Sequence, residues 1–462
     1  MSVPTDDRGS MAYVYLLTLV AALGGLLFGY DTAVISGAIK YITLQFHLDE
    51  IQQGWAVSSV LVGCMIGASL AGTLSDRFGR KKALVLAAVL FAVSAVGAAI
   101  PRDLTQFAAA RLLGGFAVGT ASMLSPMYIA EVAPARLRGR LVSLNQVAVI
   151  SGMLVVSVVN WLIASPTNEA WNVAVGWRWM LGSGTLPAVL FLAALYFVPE
   201  SPRWLTSRGR TGEALVILAR LRGQRQAESE MRMIQETIAG EGSSFRDLFR
   251  PAVRVALGIA VVLAVLQQVT GINAVLYYAP MIFESAEVSP TRALLQTVAL
   301  NVVNLLFTLV AIQVVDRGGR KPLLLITSLA MGTSLVLLAM AFYLKLAAAW
   351  IFAFTLAYVA SFAVAMGPVV WVLLAEIFPT SIRGRAMSVA TLALWIACFA
   401  VSQTVPWMFK RLGPPATFGT YAAMCAVALV FVIMFVPETK GKTLEEIERS
   451  WAGGSSRSRP GK

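Results

Sequence analysis

The sequence predicts an all-α membrane protein with twelve spanning helices in two six-helix halves, joined by a polar helical linker. Three observations predict it: an apolar composition, a series of span-length apolar runs, and charged motifs that return in order in the second half. Of 462 residues, 58% are hydrophobic and only 13% are charged, and the mean hydropathy is +0.74. A water-soluble chain of this length needs more charge to cover its surface. A spanning helix needs roughly 20 apolar residues, and Met11–Ile39, Trp55–Leu74, Ala83–Ile100 and Leu141–Ala164 each supply such a run.

In order along the chain, spans are expected over 12–36, 54–75, 82–100, 105–129, 141–164 and 177–198, then 253–283, 293–315, 322–343, 348–376, 386–410 and 416–436. The chain therefore divides into an N-terminal tail 1–10, a first half 11–199, a linker 200–252, a second half 253–437 and a closing tail 438–462. The first ten residues are short, polar and partly acidic, unlike a cleaved leader. Cys64, Cys398 and Cys425 lie inside apolar runs and read as small buried hydrophobes, with neither metal-ligand spacing nor a disulfide framework.

The net charge of +13 would suggest nucleic acid in a soluble protein. Here the bases sit between spans, so topology accounts for them and no nucleic-acid partner is expected. One set of connections carries Arg77, Arg80, Lys81, Lys82, Arg136, Arg138 and Arg140, the arginine-rich stretch 203–254, and Arg317, Arg320, Lys321, Arg383 and Arg385. The opposite set holds little more than Lys40, His47, Arg102, Lys345, Lys410 and Arg411. By the positive-inside rule, both termini and the linker face the cytoplasm.

The repeat is carried by charge. Asp76-Arg-Phe-Gly-Arg80 returns as Asp316-Arg-Gly-Gly-Arg320, and Glu131 with Arg138 returns as Glu376 with Arg383. Pro199-Glu200-Ser201 closes the first half as Pro437-Glu438-Thr439 closes the second. Parallel halves of this kind place a substrate site at their interface near the bilayer midplane. The charged motifs sit at helix ends, where ion pairs that form only when one side is closed would bias a two-state equilibrium. Exposed pairs are worth about 0–1 kcal/mol each, so several could hold a gate without locking it. The gate set is Asp76, Arg77, Arg80, Glu131, Arg138, Glu200, Arg203, Asp316, Arg317, Arg320, Glu376, Arg383 and Glu438. The linker, with helix-forming stretches at Thr211–Arg222 and Glu228–Ile238, reads either as a latch across the halves or as a solvated connection.

Asp31 is the only acidic residue well inside a predicted span, and Arg111 in the fourth is its one obvious intramembrane partner. An ionisable group in lipid is costly and is a functional candidate by default. Burial favours the neutral acid while a nearby guanidinium favours the carboxylate. Withdrawal of Arg111 would therefore let Asp31 take a proton; a static pair that fixes helix packing is the alternative.

The chain resembles the sugar-porter branch of the major facilitator superfamily over roughly 11–445. The resemblance rests on Gly72-Thr-Leu-Ser-Asp76-Arg77-Phe-Gly79-Arg80-Lys81, Pro199-Glu200-Ser201-Pro202-Arg203-Trp204, Gln267-Gln268-Val-Thr-Gly271-Ile272-Asn273 and Pro437-Glu438-Thr439-Lys440-Gly441. It is nearest to bacterial proton–sugar symporters and more distant from facilitative glucose transporters. The resemblance implies that Asp31 and Arg111 form the proton-coupling pair, since facilitative relatives carry a neutral residue at the aspartate position.

A sugar needs amide side chains, which donate and accept, and aromatic platforms. Gln146, Gln267, Gln268, Asn273, Tyr277, Tyr278, Asn304, Trp371 and Trp395 lie at mid-span, and the resemblance gives this set the sugar-contacting role. On one unbroken helix Gln268 and Asn273 would point about 140° apart, so a break is expected at Thr270-Gly271. Gly367-Pro368 offers a second. Met153 and Leu394 stand where xylose symporters carry amides, which makes the pocket more apolar and favours a hexose such as glucose.

The expected function is proton-coupled sugar import by alternating access in the cytoplasmic (inner) membrane, by a monomer binding sugar and proton. The alternatives are a passive uniporter, a pentose or polyol/inositol porter, and a non-transporting sensor. No nucleophile–His–acid set or metal cluster is visible, and the single histidine, His47, falls in a loop. An enzyme and a cofactor are therefore not expected.

Overall fold

A bilayer supplies no hydrogen bonds to a backbone, so each apolar run must close its own amides in a helix. The computed structural model describes residues 9–165, 168–239, 251–378 and 382–440, apart from the side chains of residues 239, 251, 252, 316 and 375. The described residues hold 12 helices long and apolar enough to cross a membrane. Six are Met11–Phe46, Glu50–Phe78, Arg80–Ala99, Leu104–Val132, Arg138–Ala164 and Glu169–Tyr196. The other six are Val253–Tyr277, Pro290–Val315, Arg320–Tyr343, Ala348–Leu374, Arg383–Arg411 and Gly413–Phe435. We refer to them as the first to twelfth spans.

Some ends differ from the hydropathy reading. The first span runs on to Phe46 because Ala38, Ile39, Tyr41 and Ile42 are buried and Lys40 is neutralised by Glu169 at 2.9 Å. The sixth starts at Glu169, through a π turn at Asn172–Gly176. At Gly367-Pro368 the tenth span does not break as expected. A π turn at Phe362–Met366 precedes the proline, and the helix continues as Gly367–Glu376. The wider turn accommodates a residue that lacks an N–H and crowds the preceding turn.

The predicted break in the seventh span is present. Helix Pro251–Val269 stops, Gly271 turns with φ +96°, and the chain resumes as Ile272–Tyr277 and Ala279–Glu284. Only glycine adopts that turn at no steric cost, and a Cβ there would lie 2.6 Å from the Tyr421 ring.

Leucines and isoleucines such as Leu186, Leu190, Ile326 and Ile433 face outward and are more than half exposed, whereas Thr18, Ser36, Ser94, Asn160, Thr355 and Ser402 are buried. This distribution suits lipid as the surrounding solvent, with small and polar residues between helices. The first span packs on the fourth and fifth, and the ninth on the twelfth. At Gly29 a Cβ would fall 1.8 Å from the Val149 carbonyl oxygen, so glycine sets the approach of the first and fifth spans.

By contact the chain separates into two units, Met1–Phe46 with Ser59–Glu241, and His47–Ser58 with Gly242–Lys462. The start of the second span joins the latter unit because Ser58 Oγ donates to Gln403 Oε1 at 2.6 Å, Gln403 Nε2 donates to the Ile51 carbonyl at 2.9 Å, and Lys410 pairs with Glu50. The linker helices Pro202–Ser207, Thr211–Arg222 and Gln224–Ala239 belong to the former. They bury a small core of Trp204, Leu205, Ala214, Leu218, Ala227 and Met231. Trp204 Nε1 donates to the Asp76 carbonyl at 2.9 Å, Arg208 donates to the same oxygen, and the Ser10 N–H donates to the Arg220 carbonyl at 3.1 Å. The linker is therefore braced on the first and second spans; its remainder, 240–250, lies outside the described residues.

The repeated charged motifs terminate spans in the same way in each unit. Glu200 Oε1 accepts from the Arg80 and Lys81 amides at 2.9 and 3.2 Å, capping the third span. Glu438 accepts from the Arg320 and Lys321 amides at 3.0 and 3.1 Å, capping the ninth. A carboxylate at a helix N-terminus meets orphan N–H groups and the positive end of the dipole. Arg80 pairs with Glu131 at 3.0 Å, and Arg320 with Glu376 at 2.7 Å. Lys81 and Lys321 reach the carbonyls of Tyr196 and Ile433 at 3.1 and 2.9 Å.

The two caps differ in one respect. Burial raises Glu200 above the usual carboxylate range, and the Ser201, Lys81 and Arg80 amides offset this only in part. Glu438 is also pushed up by burial, but the Lys440, Arg320, Lys321 and Thr439 amides outweigh it and hold the group below that range.

Gly271→Ala should destabilise on the order of 1–3 kcal/mol, seen as a lower Tm in detergent. Gly258→Ala, where a Cβ meets nothing within 4 Å, should not. The stability that Glu438 contributes is present above the unfolded carboxylate value and lost as pH falls through its depressed folded value. Glu438→Gln should therefore lower Tm more at pH 7.5 than at pH 4. For Glu200 the folded state holds its proton more tightly, so its ionisation costs stability as pH rises from the unfolded to the folded value. Glu200→Gln should accordingly lower Tm less at pH 7.5 than at pH 4.

Candidate functional site

Among the described residues of the first unit, an ion pair lies deep between the first and fourth spans. Arg111 Nη1 donates to Asp31 Oδ1 at 3.0 Å, and Nη2 donates to the Asp31 main-chain carbonyl, also at 3.0 Å. The side chains are 1% and 12% exposed, so neither charge is solvated and each depends on the other. The third and fourth spans close tightly beside the pair. Ser94 Oγ donates to the Ala110 carbonyl at 2.8 Å, and a Cβ on Gly114 would stand 2.4 Å from Ser94 Oγ and 3.3 Å from Asp31 Oδ1. Next to Asp31 on the first span, the Tyr30 hydroxyl bonds Ser183 Oγ of the sixth at 2.7 Å.

The second unit gathers amides around the break in the seventh span. Asn273 Nδ2 donates to Gln268 Oε1 at 2.6 Å and to Cys398 Sγ at 3.1 Å. The turn at Gly271 thus brings together two side chains that a continuous helix would direct apart. Gln268 Nε2 lies 3.3 Å from Gln267 Oε1. Gln267 Nε2 in turn donates to the carbonyls of Met366 and Gly367 at 2.8 and 3.1 Å, at the π turn of the tenth span. An amide chain so arranged offers paired donors and acceptors, the chemistry that hydroxyls require.

Trp395 and Asn304 are buried on the eleventh and eighth spans, and Trp371 is half-buried on the tenth. Tyr277 is buried, and Tyr278 is fully buried with its hydroxyl donating to the Ser402 carbonyl at 2.8 Å, a strut between the seventh and eleventh spans. Gln146 is half-buried on the fifth span, in the first unit. Met153 and Leu394 are both buried.

Of the charged motif residues, Arg80, Glu131 and Glu200 meet in the first unit, and Arg320, Glu376 and Glu438 in the second. Asp76 adds a contact to Arg80 at 3.4 Å. Each network lies within its own unit. Arg77, Arg138 and Arg317 are exposed and Arg203 is half-buried. Arg383 Nη2 donates to the Phe378 carbonyl at 3.2 Å, and the Asp316 side chain lies outside the described residues.

Sequence reasoning did not single out Lys81 and Lys321 as anchors, although their matching places in the repeat carried the signal. It also missed Trp204 and Arg208 on the end of the second span. Ser183 gave no signal, because one small polar residue in an apolar run has many ordinary roles.

The family model described as "Sugar (and other) transporter" matches residues 17–451. The chain is 44% identical to the D-xylose-proton symporter of Escherichia coli over 96% of its own length and 97% of that protein. It is 41% identical to the arabinose-proton symporter of Bacillus subtilis over 97% of each chain, and 41% identical to a glucose transport protein of Synechocystis over 96% of this chain and 99% of that one. Among solved structures, the inward open conformation of the Escherichia coli xylose transporter superposes with a TM-score of 0.86 at 43% identity, covering 95% of this chain and 100% of the other. With the motifs, the twelve spans and these likenesses in agreement, the chain belongs to the sugar transporter family, within the sugar porters of the major facilitator superfamily.

Proposed function

We propose that this protein is a proton-coupled sugar symporter working by alternating access, and that it imports a hexose such as glucose. The observation that carries the coupling is the buried pair of Asp31 and Arg111. In a passive porter such a buried pair could only fix helix packing, whereas a symporter needs a group whose protonation differs between its two states. The names of the xylose and arabinose relatives, both proton symporters, support the same reading.

The sugar is assigned to the amide chain of Gln267, Gln268 and Asn273, with Gln146, Asn304, Trp371 and Trp395 as further contacts, and with Tyr278 steadying the seventh span against the eleventh. Two apolar residues, Met153 and Leu394, favour the hexose, as does the likeness to a glucose transport protein. A pentose is the second reading, favoured by the names of the xylose and arabinose relatives. The Arg80–Glu131 and Arg320–Glu376 pairs fix one end of each half, and the exposed Arg77, Arg138 and Arg317 supply charges that change partners during the cycle. The distribution of basic residues supports a place in the inner membrane with both termini cytoplasmic. One chain carries every residue assigned here, so the working unit is a monomer.

In proteoliposomes with an imposed pH gradient, Asp31→Asn should abolish uphill uptake while leaving sugar exchange within about threefold of wild type. Concentrative uptake that survives the substitution would sink the coupling role. In competition against labelled glucose, unlabelled glucose should displace better than xylose or arabinose. Equal or better displacement by a pentose reverses the substrate assignment.

A further inference from the structure

Arg111 engages Asp31 through only one carboxylate oxygen. Its two bonds go to Oδ1 and to the main-chain carbonyl, while Oδ2 is buried and accepts no hydrogen bond from any described residue. A buried carboxylate oxygen in that position needs a water or a proton. A small cavity touches Asp31, walled by Tyr30 and Val34 of the first span, Phe91 and Ala95 of the third, and Gly184 of the sixth. No residue of the fourth span, which carries Arg111, lines it. It offers about 10 Å³ to the centre of a water, close to the least that holds one molecule.

Tyr30, the residue beside Asp31, also lines this cavity and carries a hydroxyl. Ser183 Oγ lies within bonding distance of the Met180 carbonyl, which can only accept, so the serine proton is spent there. The Tyr30 hydroxyl must then donate to Ser183 Oγ, which leaves the lone pairs of the Tyr30 oxygen open to a donor. Among the described residues, Arg111 and Tyr30 are the titratable groups named at Asp31 and its cavity, and the third and sixth spans bring apolar and glycine walls to it.

We propose that Asp31 takes and releases its proton at Oδ2, through one water held between Oδ2 and the Tyr30 oxygen, on the side of the third and sixth spans. An incoming proton adds to this water as one of the water's own protons passes to Oδ2. The water is regenerated, and Asp31 becomes the neutral acid. Arg111 keeps its bond to the main-chain carbonyl, which does not change with the charge of the carboxyl. Protonation therefore precedes withdrawal of Arg111, rather than following it. The inference rests on the coupling role proposed above for Asp31.

The test uses Gly184→Ala. The added Cβ would meet the Leu181 carbonyl oxygen at 3.4 Å, Ala95 Cβ at 3.5 Å and Tyr30 Cε1 at 3.6 Å, contacts at the close end of the ordinary range that take up the cavity without touching a charge. In proteoliposomes it should keep sugar exchange within about twofold and cut pH-driven accumulation at least tenfold. Tyr30→Phe adds no atom and should slow pH-driven uptake, with a larger solvent deuterium isotope effect than wild type. Wild-type pH-driven uptake in both variants overturns the water route. Should Gly184→Ala lose exchange as well, Tyr30→Phe decides alone: an unchanged rate and isotope effect overturns the route. Asp31→Asn is run alongside. If it still concentrates sugar, the coupling role itself has failed; if it does not and both other variants behave as wild type, only the water route has.

Discussion

A bilayer interior has no water to meet an unpaired polar group, and the arrangement of this chain follows from that constraint. Backbone amides are closed within helices, so difficulty concentrates at helix ends, at breaks and at charges. The third and ninth spans are capped by Glu200 and Glu438 from chain segments more than a hundred residues away. At the break in the seventh span, Tyr358 donates to the Thr270 carbonyl at 3.0 Å, and the amides of Gln267, Gln268 and Asn273 satisfy one another and the tenth-span backbone. Among the described residues, the carboxylate well inside a span, Asp31, is neutralised by Arg111. Function, on the reading proposed here, uses the same few places where the membrane makes polarity expensive.

The two halves share their scaffolding and differ in their contents. Cap, arginine–glutamate pair and lysine anchor recur in each unit at matching positions, down to the lysine on a carbonyl of the last span of its half. Yet Asp31 and Arg111 have no counterpart pair in the second unit among the described residues, and the amide chain of the second has none in the first. Even the shared caps have diverged: burial dominates at Glu200, whereas the amides dominate at Glu438. A repeat preserves what both halves need mechanically and releases the rest.

Much of this was legible in the sequence because lipid imposes a one-dimensional signal. Twenty apolar residues mark a span whatever surrounds them, and charges between spans mark ends. Where a span stops within an apolar stretch is a tertiary matter: the first continues to Phe46 because its later residues find partners, Glu169 for Lys40 among them. The break at Gly271 could be foreseen because two amides had to face one ligand and a glycine stood between them. The break at Gly367-Pro368 could not be judged the same way, since a π turn absorbs a proline without ending the helix. Pairing by charge identified Asp31 with Arg111, but not which oxygen Arg111 would use; that is a matter of tertiary packing, with Gly114 standing beside Oδ1. The sugar is least legible, because a few hydrogen bonds separate one monosaccharide from another while the whole scaffold is common to them.

The second bond of Arg111, to the Asp31 carbonyl, has an electrical consequence. While Asp31 is ionised the pair is neutral as a unit. Once Oδ2 is protonated the guanidinium, still tethered to the main chain, leaves the site with one positive charge. A charge moved across the membrane field is worth about 2.3 kcal/mol per 100 mV. On the coupling role proposed for Asp31, the membrane potential would then act on the protonated carrier more than on the deprotonated one. Voltage, on that reading, would drive the loaded half of the cycle and spare the return.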